Sequence, residues 1–509
     1  MENFEPAVTW SPPSRSQTSA DEVPSAAAAP AAARPTEDSP LRANTTTGQF
    51  GRLMRCPREL WFVYAMKMGE SFAYFSMSFI LVLFLSEEYG FSDREAGWIY
   101  GVFGLLSSLV GLCVGSAVDN LGVRASLVLG STILTVSRVL LCLTYSSHIT
   151  VAVLLVGLPV GASLGIPLLS HGVRRYTSEP TRALAFSIFY VIMNLAAFLG
   201  GVTSNIIRHQ YKKGLDLHIG NAVFHLTTYR ILLSVGTCLS VVNMSLACCI
   251  REIVVVRHDA QPEEFKTRRA SPVQITYEVL TQARFWRYCG LAAIFVGCRM
   301  NLRHMDATLP KYLTRMHGPD APYDLIISLN PMLIVGLVPL ATVFAEHIQW
   351  PITHFLQIGC FLSSVCPFAL AVSTSYTAAV CSIVVLSLGE AMWSPKLYEY
   401  SVTVAPEGRE GTFIALDTAP VFLSKLATGG ISGTMLERFV PRDDPERRNP
   451  LLMWAIIGCL SMISPILLWS LHHIIFRIED YRGSGSQRAI VHQQHASKGP
   501  ADEAAGASQ

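Results

Sequence analysis

Charged residues are scarce in this sequence. Only 15% of the 509 residues are Asp, Glu, Lys or Arg, whereas a soluble protein has about 25%. The 39 basic and 37 acidic residues leave a formal net charge of +2, so the chain lacks the positive field that attracts nucleic acid. Half of the residues (50%) are hydrophobic. This composition excludes a soluble multidomain enzyme and a disordered chain, and it predicts an integral membrane protein with several spans.

The sequence also lacks the patterns of metal, nucleotide and disulfide sites. It has 12 Cys, but almost all of them lie in or beside apolar runs, with no Cys-x-x-Cys pair and no His/Cys cluster. It has no glycine-rich phosphate-binding loop, which argues against ATP-driven transport. No loop places a nucleophile beside a base. We therefore expect no metal, no cofactor and no enzymatic activity.

Twelve apolar segments of about 20 residues follow one another, each long enough to cross the ~30 Å core of a bilayer. Each should be an α-helix, because lipid offers no hydrogen-bond partner to backbone amides. A polar segment divides them six and six. We predict an all-α membrane protein with twelve transmembrane helices in two six-helix bundles, an arrangement typical of secondary transporters. The segment centres are Tyr74, Leu106, Thr135, Leu155, Met193, Val241, Phe295, Val335, Phe361, Val385, Ala427 and Gly458.

Polar stretches flank and separate the two bundles. The predicted organisation is a disordered N-terminal tail (1–58), a first bundle (59–250), a central loop (251–284), a second bundle (285–477) and a disordered C-terminal tail (478–509). Lys and Arg are concentrated on the side of the central loop, which predicts that this loop and both tails are cytoplasmic. Two loops on the opposite side also carry several bases. We expect a location in the plasma membrane rather than an internal membrane.

The connection between the second and third segments contains Gly115, Asp119, Gly122 and Arg124. Asp119 and Arg124 can bridge neighbouring helix ends across the turn that Gly122 permits, and so stabilise one of two bundle arrangements. The alternative is an ordinary charged turn. The spacing and position of these four residues resemble the signature of the major facilitator superfamily. The resemblance implies that they take part in conformational gating.

Four further groups of residues resemble motifs of the proton-coupled oligopeptide transporter family, in the same order along the chain. The resemblance covers roughly residues 59–433, and it implies a major facilitator fold and proton-coupled symport. The groups are Lys67, Glu70, Phe72 and Tyr74 in the first segment, residues 186–195 in the fifth, Asn330 and Pro331 in the eighth, and Gly389, Glu390 and Pro395 in the tenth.

The first and fourth segments depart from that family. Lys67 stands where the family has Glu, and Ser71 stands where it has Arg. The family also keeps a lysine in the fourth segment, but residues 149–170 contain none. Much of the family's set for proton relay and carboxylate binding is therefore absent. The resemblance implies a relative that handles another small organic solute.

Several ionisable residues lie within the apolar segments. Each costs about 2.5–3.5 kcal/mol at the centre of a helix, which suggests a polar cavity or ion pairs. Lys67 and Glu70 are neighbours on one helix face. Either they form a local ion pair, or Glu70 takes a proton and Lys67 binds the substrate. The full set is Lys67, Glu70, Arg138, Arg299, Arg303, Asp306, Glu390, Lys396, Glu399, Asp417 and Lys425.

The seventh segment carries Arg299, Arg303 and Asp306 on one helical stripe, at spacings of four and three. Two guanidinium groups on one stripe suit a carboxylate or phosphate, because their fork matches two oxygens. Alternatively, Arg303 and Asp306 pair with each other. If both arginines face the cavity, the solute is anionic. Asp306 is also a candidate for proton coupling.

Glu390 in the tenth segment is the acid that, by the resemblance, faces the amino end of the substrate. It is a candidate for both substrate binding and proton coupling; the alternative is a buried Glu with satisfied hydrogen bonds. Tyr74, Asn194 and Asn330 are candidates for lining the cavity, although each could equally form an interhelical hydrogen bond. Asp417 and Lys425 are eight residues apart, and little of the hypothesis about the binding site depends on them.

Together these features predict a secondary active transporter of a small polar solute, carboxylate-bearing and so anionic or zwitterionic. It would work by alternating access, coupled to protons or as a uniporter. Its partners would be the solute, protons and the lipid bilayer, with no nucleic acid. A receptor or scaffold that retains the fold without transporting is the main alternative. An intramembrane enzyme is a second, with Asp306 and Asp417 as its faint candidates.

Overall fold

A computed structural model of the chain describes residues 46–121, 123–219, 222–250, 281, 283–348, 350–404 and 410–476. Nearly all of the N-terminal tail, the central loop and the C-terminal tail that the sequence predicts lie outside these residues. The limits proposed for those segments therefore remain predictions. The described chain falls into an N-terminal half, before residue 251, and a C-terminal half, after residue 282.

The N-terminal half consists of long helices joined by short turns. A π-helical turn (Val153–Gly157) connects α5 with α6, and an antiparallel two-stranded sheet connects α7 with α8. The elements are α1 (Thr46–Met54), α2 (Arg58–Glu88), α3 (Asp93–Leu121), α4 (Val123–Leu143), α5 (Ser147–Ala152), α6 (Leu158–Tyr176), α7 (Glu179–Gln210), β1 (Leu215–Ile219), β2 (Ala222–Leu226) and α8 (Thr228–Cys249).

The C-terminal half has the same character. Several of its helices contain proline without ending there, and one break, at Cys366 before Pro367, separates two consecutive helices. The elements are α9 (Ala283–Ala307), α10 (Leu309–His317), α11 (Tyr323–Ile348), α12 (Ile352–Val365), α13 (Pro367–Val372), α14 (Tyr376–Val404), α15 (Glu410–Phe439), a 3₁₀ turn (Pro445–Arg447), α16 (Pro450–Ser470) and α17 (His472–Ile475).

Every predicted segment centre lies in one of these helices or, for Leu155, in the π-helical turn. Within the described ranges, nine helical stretches are long and apolar enough to cross a membrane. The remaining centres, Leu106, Phe295 and Ala427, lie in α3, α9 and α15. The helical membrane fold is therefore confirmed, and the helices are consistent with twelve crossings.

The outward surface is apolar, as a bilayer requires. Val156, Leu340 and Val343 are 60%, 65% and 64% exposed. Such side chains would be a liability in water, but they match the acyl chains of lipid. The chain is thus a multi-pass integral membrane protein.

Two elements differ from the sequence prediction. Helix α1 lies in the part predicted as a disordered tail, because Leu53 is buried against Leu60 and Tyr64 of α2. The hairpin of β1 and β2 lies in a connection for which no strand was expected. Its backbone groups pair with each other, and its register places Asp216 opposite His225.

The two halves contact each other at the end of the molecule where α2 turns into α3; we refer to it as the contact end. A Cβ atom on Gly97 of α3 would collide with the backbone of Gly429 in α15. On the other side of the contact, a Cβ atom on Gly201 of α7 would lie 2.8 Å from the backbone oxygen of Asp324 in α11. Small residues permit this close helix approach in membranes.

Ion pairs also join the halves at the contact end. Asp93, at the start of α3, accepts hydrogen bonds from Lys311 Nζ at 2.8 Å and from Arg315 Nη2 at 2.7 Å, both in α10. Lys311 Nζ also donates to Ser86 Oγ of α2 at 2.6 Å. One carboxylate of the N-terminal half thus binds two cations of the C-terminal half.

A second connection links α7 with α11. Arg208 pairs with Asp324, and its guanidinium carbon lies 4.0 Å from the ring centre of Tyr323. In the adjoining loops, Lys212 Nζ lies 2.7 Å from Asp320 Oδ1. The hydrogen bond from Lys212 lowers the pKa of the Asp320 carboxyl. These contacts close the contact end on the side opposite to α3 and α15.

Candidate functional site

Asp306 connects α9 with two helices of the N-terminal half. It is 7% exposed, and it accepts hydrogen bonds from the Ser78 hydroxyl of α2 at 3.2 Å and the Tyr100 hydroxyl of α3 at 3.1 Å. Arg303 lies one turn earlier, with its Nη1 atom 3.7 Å from Asp306 Oδ2. The pairing of Arg303 with Asp306, which the sequence left open, is therefore present.

Glu390 of α14 also lies near Arg303. Its Oε2 atom accepts a hydrogen bond from Asn330 Nδ2 of α11 at 2.9 Å, and the same nitrogen lies 3.1 Å from Ser387 Oγ. The Glu390 carboxylate is within electrostatic range of both Arg303 and Arg299 of α9. The structure therefore brings the predicted binding residues of α9, α11 and α14 to one place.

Helix α7 contributes Tyr190 and Asn194 from the N-terminal half. Asn194 is 8% exposed, and its Nδ2 atom donates to the backbone oxygen of Tyr190 at 3.0 Å. The Tyr190 hydroxyl is within electrostatic range of Glu390. The sequence analysis included Tyr190 only within the motif of residues 186–195. Its spacing of four from Asn194 could have identified it, because the two share a helix face.

Glu70 has its partner inside the N-terminal half. Arg138 of α4 donates to its carboxylate through two nitrogens, at 3.0 Å and 2.5 Å, and also hydrogen bonds to Ser240 of α8. The two charged residues are 68 positions apart in the sequence. Glu70 is thus held by a bidentate ion pair between helices, not by its neighbour Lys67.

Lys67 is buried and lies beside α7. Its ammonium group is 4.7 Å from the ring centre of Phe189. Among the residues that the structure describes, no carboxylate forms an ion pair with it. The local Lys67–Glu70 pair, one of the two alternatives from the sequence, is therefore not formed as a contact.

Tyr74 of α2 meets a residue to which the sequence analysis gave little weight. Its hydroxyl accepts a hydrogen bond from Lys425 Nζ of α15 at 2.5 Å. Tyr74 is also within electrostatic range of Arg303. We refer to Tyr74, Tyr100, Arg303, Asp306, Glu390 and Lys425 as the inter-half cluster. Sequence spacing gave no signal for Lys425, because its neighbours come from α2 and α3, more than 300 residues earlier.

The predicted gating residues are only partly described. Gly122, and the side chains at positions 115 and 119 of α3, lie outside the described part of the structure. Arg124 is exposed and donates from Nη2 to the backbone oxygen of Cys248 in α8 at 3.1 Å. Glu399 and Asp417 likewise have no described side chains. Gating by Gly115, Asp119, Gly122 and Arg124 remains a prediction.

The inter-half cluster can bind an anion. Arg303 is paired with Asp306, but its Nε atom is buried and has no hydrogen-bond partner among the described residues. A buried donor without a partner is costly unless a ligand supplies the acceptor. Acids and bases from α9 and α15 lie beside tyrosine hydroxyls of α2 and α3, and Glu390 of α14 lies within electrostatic range of Tyr190 of α7. Movement of one half against the other would change the environment of all of them.

The comparisons with known proteins agree with this architecture. The profile of the Major Facilitator Superfamily matches residues 63–421. Dipeptide and tripeptide permease B of Salmonella typhimurium is 26% identical over 175 residues, and the protein of that name from Aeromonas hydrophila subsp. hydrophila is 25% identical over 180 residues. The aligned part covers 34% of each permease and about a third of this chain (33% and 34%).

Solved structures match over a greater length. A peptide transporter POT in complex with sulfate has a TM-score of 0.64 at 18% identity, over 83% of this chain and 95% of that one. A POT family transporter in complex with 5-aminolevulinic acid has a TM-score of 0.62 at 15% identity, over 83% and 97%. These matches confirm the resemblance to the oligopeptide transporters. Since the superfamily profile spans well over half of the sequence, the chain belongs to the Major Facilitator Superfamily, whose members are membrane transporters and not enzymes.

Proposed function

We propose that this protein is a secondary transporter that carries a small, carboxylate-bearing organic solute across the membrane by alternating access, coupled to protons. The inter-half cluster would be the binding site, with Arg299, Arg303, Asn330 and Glu390 around the solute. Superfamily membership supports the transport itself. The buried charges support the place, because ionisable groups inside a membrane protein mark the path of the transported species.

The unpartnered Nε atom of Arg303 is the observation that carries the choice of solute. Asp306 pairs with the Nη1 atom of Arg303 and leaves the Nε atom without an acceptor, so an incoming carboxylate would complete the hydrogen bonds of Arg303. Guanidinium groups bind carboxylates through two parallel N–H groups, which favours this class over neutral solutes. Asn194 of α7 and Lys67 of α2 would approach from the N-terminal half.

The names of the relatives point to the same class of solute. One structural neighbour is a POT family transporter bound to 5-aminolevulinic acid, which carries a carboxylate, and another is bound to sulfate. The sequence relatives are dipeptide and tripeptide permeases. However, Lys67 and Ser71 replace residues of the peptide transporters' first helix. We therefore infer a small organic acid or zwitterion in preference to a peptide.

Alternating access would proceed by separation of the contact end. The ion pairs of Asp93 and Arg208 would break, and the binding site would open toward the side of the α2–α3 turn. With cytoplasmic tails, as the Lys and Arg distribution predicts, this is the outer side of a plasma membrane. The turn containing Gly115, Asp119, Gly122 and Arg124 would close the opposite end.

Uptake into proteoliposomes tests the proposal. A panel of dipeptides, amino acids, monocarboxylates and nucleosides would be offered to the full chain. We expect flux of a carboxylate-bearing solute that falls at least about tenfold in Arg303→Gln and in Glu390→Gln, because each change removes a charged hydrogen bond. Arg447→Gln, at an arginine whose side chain is 80% exposed, is the matched control and should retain flux. Absence of any flux would favour a scaffold, whereas flux that is unchanged by both substitutions would contradict the assignment of the binding site.

The same vesicles test the coupling. An imposed pH gradient should drive accumulation by the wild type. Asp306→Asn should lose the accumulation, because the amide cannot carry a proton, while exchange of labelled for unlabelled solute continues. Glu390→Gln should lose both the accumulation and most of the exchange, because Glu390 is a candidate for proton coupling and for solute binding. Glu70 is the remaining candidate for proton coupling. Loss of accumulation in Glu70→Gln, with exchange retained, would assign a coupling role to Glu70. Uptake by the wild type that only equilibrates the solute and does not respond to the pH gradient would show uniport.

A further inference from the structure

Lys425 occupies an unusual position between the halves. It belongs to α15 and is only 4% exposed, yet it makes its hydrogen bond and its ring contacts with the N-terminal half. Its stem lies against Gly104 of α3, where an added Cβ would come within 2.7 Å of the Lys425 Cβ. Gly104 therefore provides the space in which this lysine reaches across to α2.

Three aromatic rings surround the ammonium group of Lys425. Its Nζ atom lies 5.1, 5.3 and 5.4 Å from the ring centres of Tyr74, Tyr100 and Phe103. Ring faces attract a cation, but they do not neutralise its charge. The Tyr74 hydroxyl, at 2.5 Å, is the neutral acceptor in this arrangement. The result is a cation in a largely apolar enclosure.

Lys425 differs from the buried arginines in having no carboxylate at ion-pair distance within the described part of the chain. Arg138 has Glu70, and Arg303 has Asp306. No carboxylate of a described residue forms an ion pair with Lys425. A buried cation is stabilised best by a hydrogen-bonded anion, so this enclosure favours a ligand that brings one.

Lys425 is also continuous with the proposed binding site. The Tyr100 hydroxyl donates to Asp306 at 3.1 Å, while the Tyr100 ring faces Lys425. Arg303 Nη1 lies 3.7 Å from an oxygen of the same Asp306. A solute near Arg303 is therefore only one side chain away from the Lys425 ammonium.

We propose that Lys425 is a second cationic partner, beside Arg303, of the carboxylate of the transported solute, and that Tyr74, Tyr100 and Phe103 select solutes whose carboxylate is attached to an aromatic body. This inference rests on the proposed function and specifies its substrate class. The carboxylate replaces the Tyr74 hydroxyl at the ammonium group, which converts a neutral hydrogen bond into a charge-assisted one. The rings then pack against the apolar part of the solute.

Three related probes test both parts in proteoliposomes containing the full chain. N-acetylphenylalanine has the carboxylate and the ring, N-acetylphenylalanine amide lacks the charge, and N-acetylglycine lacks the ring. We expect the wild type to transport the first at least about tenfold more efficiently than either of the others. Equal transport of the first and the third would overturn the aromatic preference. Equal transport of the first and the amide would overturn the role of the charge.

Substitutions assign the effect to the lysine. Lys425→Gln should raise KM for N-acetylphenylalanine about tenfold or more and abolish discrimination against the amide, whereas Lys425→Arg should preserve both. Lys213→Gln, at an exposed lysine of the surface loop, is the matched control. A merely structural lysine would lower kcat for every transported solute and leave KM and the discrimination unchanged, which would contradict the proposal.

The two levels of the hypothesis fail in different ways. If the wild type transports a dipeptide or another panel solute in a manner that depends on Arg303, but not N-acetylphenylalanine, only the Lys425 inference is wrong. If no solute is transported by a chain whose thermal unfolding in detergent is cooperative, the proposed function is wrong as well. Thermal unfolding of Lys425→Gln establishes that the variant is folded.

Discussion

At the scale of single residues, several charges inside this protein have their partners on other helices. Glu70 and Arg138 illustrate why the sequence could identify the charges but not their partners. Glu70 and Arg138 were each recognisable as charged residues within apolar segments. However, the spacing of three residues predicted Lys67, and not Arg138, as the neighbour of Glu70. The packing of α2 against α4 decides otherwise and places a bidentate guanidinium at the carboxylate. Lys425 was undervalued for the same reason, since its surroundings are made by distant helices.

Arg138→Gln should destabilise the fold. Glu70 would remain as a buried carboxylate without its cation, which costs about 3–5 kcal/mol in protein interiors. Thermal unfolding in detergent would measure the loss. The double variant Glu70→Gln with Arg138→Gln should recover most of the stability, because neither uncompensated charge remains. A single variant as stable as the wild type would mean that the pair contributes nothing.

At the scale of helices, the sequence predicted the long elements well. A helix must satisfy its own backbone in lipid, so hydropathy alone located every segment centre. Hydropathy could not predict secondary-structure elements that form in water or through tertiary contacts. The β1–β2 hairpin and α1 are of this kind, and the π-helical turn (Val153–Gly157) interrupts an apolar run without a compositional signal. The sequence also did not predict the contact of α3 with α15, although it contains the glycines that permit this contact.

Gly97→Leu should force α3 and α15 apart and open the contact end. The new side chain would begin where the backbone of Gly429 now lies. Labelling of Ser86→Cys by a membrane-impermeant maleimide measures the opening, because position 86 is buried at this end. We expect faster labelling with Gly97→Leu. Gly336→Leu is the control, since no atom lies within 4 Å of its added Cβ. Unchanged labelling would mean that the helices accommodate the side chain without separating.

At the scale of the whole molecule, the halves are joined by apolar packing, glycine contacts and ion pairs at one end. The two halves and their number of helices follow from the order of segments in the sequence. The order of segments does not predict the conformational state of the transporter, because that state depends on which contacts form between the halves. Asp93 with Lys311 and Arg315, and Arg208 with Asp324, hold the contact end together in the state described by this structure.

Reversal of one of these pairs should shift the balance between states. Arg208→Asp would place two carboxylates against each other across the halves and favour separation, while addition of Asp324→Arg should restore the contact. Double electron–electron resonance between spin labels at exposed positions Lys213 and Glu446 reports the change. We expect a longer distance in the single variant and a return toward the wild-type distance in the double variant. Equal distances in all three proteins would argue against a role for this pair in closure.

Tyr100 has a consequence for the order of events during a transport cycle. One side chain gives its hydroxyl to Asp306 and its ring to Lys425. Any displacement that withdraws α3 removes both contacts in a single step. Ser78 and Tyr74 of α2 make the other contacts of Asp306 and Lys425 with the N-terminal half. Withdrawal of α2 together with α3 would thus expose an acid able to accept a proton and a cation able to accept an organic anion at the same moment.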